Sequence, residues 1–215
     1  MKTFVKFCGL SRPEEVREVP AGGAAGFVVE VPESPRNISL ERASELIDAL
    51  PVDAEAWAVV VRPTAELVHR LFDEVGIDRV QVYGEVPSGL EFLEVHHVVP
   101  SVPVPAESAG GPDPTIPPAE DYSRVHLDAA GQPLPGGSGV RPSWEVCARL
   151  VDSQPGRKMI LAGGLTAENV AEGLATVRPW GVDVSSGIER APGVKDPEKM
   201  RAFLKAVEEF EHSHA

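Results

Sequence analysis

Cys8 ends the apolar run "TFVKFC" and Asp128 lies at the end of "SRVHLDA", so a thiol and a carboxyl each follow a β-rich stretch. A thiolate can remove a proton and a protonated carboxyl can supply one, a division of labour suited to proton transfer on two faces of one substrate. Alone, each residue has a plainer reading. A lone cysteine packs as a small hydrophobe, and an aspartate after a strand caps a turn. Two further stretches, "LAGGLTAEN" and "VDVSSG", place Gly163, Gly164, Ser185 and Ser186 directly after apolar runs. Glycine lets backbone approach an anion closely, and amides with hydroxyls at such loops hold phosphate, although Gly-Gly also serves as a simple turn.

Such residues act together only if a scaffold gathers strand ends at one place. Eight β-rich runs can be read in order: "TFVKFC", "GFVVEV", "AEAWAVVV", "DRVQVY", "LEVHHVV", "SRVHLDA", "KMILAG" and "WGVDVSS". Several are almost continuously apolar, as parallel strands covered by helices are. Eight of them in 215 residues predict a compact α/β fold, a single (β/α)8 TIM barrel over residues 1–215. In a barrel the reactive groups lie at the C-terminal strand ends, where Cys8, Asp128, Gly163, Gly164, Ser185 and Ser186 all fall. The loops after strands seven and eight often hold phosphate in this architecture, and that is expected of the glycines and serines here.

Helical signals support the alternation. Ser39 is a fitting N-cap for a helix with Leu40, Ala43, Leu46, Ile47 and Leu50 on one face. "TAELVHRLFDEVG" ends at Gly76, a C-terminal signal. Thr166 opens "AENVAEGLATV", and Asp196-Pro197 opens the last helix with proline at its first position. "PEEVREVPAGG" predicts a short helix cut off by Pro20. Seven prolines between Pro100 and Pro118 exclude an ordinary helix after strand five and predict an irregular, proline-rich connection.

Composition narrows the function. Twenty basic against thirty-three acidic residues give a net charge of −13, which argues against nucleic-acid binding through phosphate neutralisation but not against one small anion held by local amides. The start lacks an apolar leader, and no run approaches the roughly 18 apolar residues of a membrane span. Cys8 and Cys147 form no metal-ligand or CxxC spacing, so the expected compartment is the reducing cytoplasm. Cys147, within "SWEVCARLV", reads as helix packing.

Seven stretches, in order along nearly the whole chain, resemble phosphoribosylanthranilate isomerases. They are "VKFCGL" at 5–10, "GFVVEVPESPRNIS" at 26–39, "VQVYG" at 80–84, "LDA" at 127–129, "PGGSG" at 135–139, "ILAGGLTAENV" at 160–170 and "GVDVSSGIERAPGVKDPEKMRAF" at 181–203. The resemblance implies an Amadori rearrangement of a small phosphorylated substrate in tryptophan biosynthesis. It makes Asp128 the general acid at the furanose oxygen and Cys8 the base at C2′. It places Arg36 near the anthranilate carboxylate, where a forked guanidinium suits the geometry. Gly163, Gly164, Ser185 and Ser186 would hold the phosphate, and Asp183, two residues before Ser185 on the same strand face, would contact the substrate amine, order the site or serve a purely structural role. No metal and no organic cofactor are implied, since the substrate nitrogen serves as electron sink. A monomer or homodimer is expected.

The chain departs from the family pattern in three places. Tyr83 stands where histidine is usual, Val140 follows "GGSG" where lysine is common, and the basic segment expected on strand five has no counterpart. These departures leave open a phosphate-binding barrel without catalysis, or an isomerase of altered aminoaldose scope. His126 lies two residues before Asp128, so both side chains face the barrel interior, and His126 is expected to modulate Asp128 or Cys8 or simply to be hydrogen-bonded there. His96 and His97, adjacent on a predicted strand, would face opposite sides, and no metal is assigned to them.

Overall fold

The computed structural model describes residues 2–90, 93–94, 96–106, 112–130 and 139–214. Eight parallel strands run in chain order: β1 (Phe4–Cys8), β2 (Ala24–Val29), β3 (Glu55–Val61), β4 (Arg79–Tyr83), β5 (Val98–Val104), β6 (Arg124–Ala129), β7 (Lys158–Leu161) and β8 (Gly181–Val184). Each pairs with its sequence neighbours, and β1 pairs with both β2 and β8. The sheet is therefore closed, a (β/α)8 barrel without a barrel edge. Asn37–Ile38 adds a short parallel pairing to β2, and Glu189–Ala191 with Val194–Lys195 forms an antiparallel hairpin.

The described α-helices are α1 (Pro13–Val16), α2 (Leu40–Ile47), α3 (Ala65–Arg70), α4 (Trp144–Ser153), α5 (Val170–Val177) and α6 (Pro197–Ser213), and a short 3-10 turn covers Ser186–Ile188. Ser39, Thr64 and Asp196 accept backbone N–H groups at the starts of α2, α3 and α6, satisfying donors that a helix start leaves over. α3 widens into a π-turn over Leu71–Val75 and stops at Gly76, whose φ of 82° is cheap only for glycine. Cys147 is buried on α4 within the apolar layer between helices and strands. Among the described residues no helix is long and apolar enough to cross a membrane.

Two elements lie elsewhere than the sequence suggests. The fifth strand runs over Val98–Val104 instead of "LEVHHVV", and His96 and His97 precede it with rings 4.3 Å apart. Their predicted separation on opposite strand faces therefore does not apply. Pro100 and Pro103 lie inside this strand. Three positions apart, they remove one donor on each side of it, and the remaining register to β4 and β6 holds. Residues 105–106 and 112–118 carry neither helix nor strand. The fifth helix starts at Val170, not after Thr166, because the Asn169 side chain accepts the Thr166 N–H at 2.8 Å and donates to the Gly164 carbonyl at 2.9 Å, holding that turn as loop.

Alternation along the strands stacks the interior in three levels. At the N-terminal end Phe4, Trp57, Arg79 and Arg124 gather around Glu55. Its carboxylate takes both arginines at 2.8–3.0 Å, while the Arg124 guanidinium lies over the Phe4, Trp57 and Trp180 rings. The middle level is polar: Lys6, Gln81, Ser101, His126 and Asp183, all buried. Cys8, Tyr83 and Asp128 form the top.

Candidate active site

Each strand that contributes to the top level first contributes to the middle one, so the site stands on a hydrogen-bonded floor. Lys6 Nζ reaches Asp183 Oδ2 at 3.0 Å, and His126 Nε2 meets the same oxygen at 2.9 Å. On its other side His126 Nδ1 lies 3.3 Å from both Gln81 Nε2 and Ser101 Oγ. Burial works against charge on Asp183, yet Lys6 and His126 outweigh it and keep the carboxyl below the usual carboxylate range. Lys6 behaves reciprocally: burial pulls its ammonium down, and Asp183, with Cys8 behind it, pulls it up further. His126 thus contacts Asp183 rather than Asp128 or Cys8, because Asp183 projects from β8 at the middle level.

Above this floor, Cys8, Asp128, Gly163, Gly164, Asp183, Ser185 and Ser186 line one pocket together with Tyr83. Asp128 accepts the Ala129 N–H on Oδ1 at 2.8 Å and the Tyr83 hydroxyl on Oδ2 at 2.7 Å. Cys8 is pushed up by burial, against the lowering effect of Lys6, Lys195 and Arg36. Cations near the thiol are present, as a catalytic thiolate needs, but in this state dehydration prevails.

The two glycine-rich turns are shaped by lack of room as much as by flexibility. Gly163 and Gly164 have φ of 83° and 63°, and a Cβ on Gly163 would lie 2.9 Å from Asp128 Oδ1. A side chain here would push the carboxyl out of place. The Ser185 hydroxyl donates to the Cys8 carbonyl at 3.1 Å and accepts from Lys195 Nζ at 3.2 Å, so it ties the end of β8 to the end of β1.

Arg36 is buried and is absent from the lining described above. Its Nε and Nη2 grip both oxygens of Glu189 at 2.7 and 2.8 Å, and Lys195 Nζ shares Glu189 Oε1 at 2.7 Å. Gly9, with φ of 75°, leaves space for the Arg36 side chain, which a Cβ there would strike. Sequence reasoning missed Lys6, Lys195, Glu189 and the Tyr83 hydroxyl. Only Lys6 carried a local signal: in "VKFC" it shares the face of Cys8. Of "PGGSG", all but Gly139 lies outside the described residues. Among the described residues no group of three or more His, Cys, Asp or Glu is placed to hold a metal ion.

With a thiol and a carboxyl facing backbone-rich turns across the C-terminal rim, the molecule is a (β/α)8 barrel whose site suits acid–base chemistry on a small substrate. The sequence profile of N-(5'phosphoribosyl)anthranilate (PRA) isomerase matches residues 5–206. The chain belongs to that isomerase family. It is 34% identical to the N-(5'-phosphoribosyl)anthranilate isomerase of Nitrosococcus oceani, covering 97% of this chain and 98% of that one. The crystal structure of the phosphoribosyl anthranilate isomerase from Thermus thermophilus superposes with a TM-score of 0.78 at 31% identity, over 96% of this chain and 99% of that one. A further solved isomerase, in complex with reduced 1-(o-carboxyphenylamino)-1-deoxyribulose 5-phosphate, gives a TM-score of 0.74 at 28% identity over the same shares.

Proposed function

We propose that this enzyme carries out the Amadori rearrangement of N-(5-phosphoribosyl)anthranilate to 1-(2-carboxyphenylamino)-1-deoxyribulose 5-phosphate in tryptophan biosynthesis, with Asp128 as acid and Cys8 as base. The observation that carries the assignment of roles is that the thiol and the carboxyl line one pocket with the two glycine-rich turns. The ligand held by the solved relative has the phosphate, sugar carbons and carboxyphenyl group that this reading requires.

Asp128 gives its proton to the furanose oxygen. The C1′–O bond breaks as the anilino nitrogen lone pair forms a C=N bond. Cys8 thiolate then takes the C2′ proton, the C–H pair forms C1′=C2′ as the C=N π pair returns to nitrogen, and the enolamine gains a proton at C1′ and loses the one on its C2′ oxygen to give the ketone. Asp183, whose Oδ1 is buried and unpartnered among the described residues, suits the substrate N–H. Arg36, aligned by Glu189, takes the anthranilate carboxylate, and the backbones at Gly163, Gly164, Ser185 and Ser186 take the phosphate. The reaction uses no metal or organic cofactor, and the protein works in the cytoplasm as a monomer or homodimer.

A mechanism that needs a protonated carboxyl and an ionised thiol together has a minor and constant active fraction between two limbs, because carboxyls as a class titrate below thiols. The pH profile of kcat/KM is then flat in the middle, bounded on the acid side by the carboxyl and on the alkaline side by the thiol. Fluorescence-monitored turnover by wild type, Cys8→Ser and Asp128→Asn, each checked for folding by circular dichroism, tests the roles. Loss of about a hundredfold or more in both folded variants is expected. Either variant turning over at the wild-type rate would remove its residue from the mechanism.

A further inference from the structure

Tyr83 ends β4 at the rim of the pocket, and the reaction as written gives it nothing to do. Its hydroxyl nevertheless points at the proton donor. The phenol O–H donates to Asp128 Oδ2 at 2.7 Å, while Oδ1 is occupied by the Ala129 N–H and backed by Gly163. The tyrosine itself is fixed. Its carbonyl takes the Arg62 N–H at 2.9 Å, its ring meets His126 edge-on at 5.9 Å, and it packs against the apolar cluster that contains Cys8, Val28 and Val59. One half-buried side chain therefore touches the surroundings of both proposed catalytic groups.

We propose that Tyr83 is a positioning residue for Asp128: its O–H holds the carboxyl in one rotamer and stabilises the carboxylate left after the proton has gone to the substrate. The inference rests on Asp128 being the acid. A charge-assisted hydrogen bond is stronger for the anion than for the acid, so Tyr83 helps most once the proton has left. Burial and the neighbouring Asp128 charge push the Tyr83 phenol well above its ordinary titration, which keeps it a donor throughout the working range. Among the described residues, other titratable groups facing Asp128 include Cys8 on β1, Asp183 on β8, His126 below it on β6 and the Cys147 thiol of α4. A change at Asp128 must be separated from theirs.

The chain has two tyrosines, Tyr83 and Tyr122. Tyr122→Phe, a substitution outside the pocket, leaves Tyr83 as the one site for 3-fluorotyrosine. The fluorine resonance is expected to move in a step with pH, and that step is expected to vanish in Asp128→Asn. In Tyr83→Phe, which keeps the ring and removes the O–H, the acid-side limb of kcat/KM should move up by about one pH unit. A fluorine titration indifferent to Asp128→Asn, or a folded Tyr83→Phe protein with an unmoved limb, would overturn the proposal. Should Tyr83→Phe fail to fold, the fluorine titration decides alone. The two readings fail separately: an active Asp128→Asn protein removes the acid role, whereas an inactive one beside an unmoved Tyr83→Phe limb removes the positioning role only.

Discussion

Lys6 sits one level beneath Cys8 on the same strand, and a Cβ on Gly26 would lie 3.0 Å from its Nζ and 3.2 Å from the Cys8 Cα. It is the strongest influence drawing the thiol down against burial. Replacing it with methionine removes a cation and keeps the volume. The alkaline-side limb of kcat/KM should then move to higher pH, and the flat region should fall by the same factor, about tenfold for one pH unit. Iodoacetamide alkylation of Cys8 against pH checks this without substrate. Cys147, buried and pushed up to about 12, stays out of the measurement. An unmoved alkylation curve would mean that Lys6 serves packing alone. At this scale the sequence located the thiol, the carboxyl and the two turns, because each follows an apolar run that must end at the rim. It could not locate their partners. Tyr83 to Asp128 spans 45 positions and Arg36 to Glu189 spans 153, and only closure of the sheet relates such residues.

At the level of strands and helices, the N-terminal end of the barrel is closed by charge as well as by rings. Burial favours the neutral form of Glu55, but its hydrogen bonds and attraction to Arg79 and Arg124 hold it at about 2. A free glutamate titrates near 4.3, so the folded state favours the anion. The contribution, about 3 kcal/mol, is complete above the unfolded titration and is lost as pH falls from roughly 4.5 to 2. Glu55→Gln should flatten urea-unfolding stability across that window and lower it by about 2–3 kcal/mol at neutral pH, where two arginines lose their counter-ion. Equal acid sensitivity in variant and wild type would contradict this. Strands with strong apolar content were legible, and so were helices with a side-chain cap. The fifth strand was displaced because proline weighs heavily against a central strand. The fifth helix was placed early because Thr166 looks like a cap, whereas Asn169 holds the turn ahead of it.

Across the whole molecule, the barrel closes by joining β1 to β8, and the Lys6–Asp183 pair that marks this seam spans 177 positions. Such a contact carries a high loop-closure cost and forms late where folding is set by topology. The expected order in refolding is early burial of Trp57, on a strand paired to its near neighbours β2 and β4, and recovery of turnover afterwards. Stopped-flow tryptophan fluorescence of a Trp144→Phe, Trp180→Phe chain, sampled in parallel for activity, would measure the interval. Simultaneous recovery would show that the seam forms with the rest. The seam also means that Cys8, made well before β8, has none of its final neighbours from that strand until it exists. During synthesis it is an ordinary exposed thiol, open to oxidants and electrophiles. The enzyme's vulnerability to such damage is therefore greatest at birth and falls when the ring is closed.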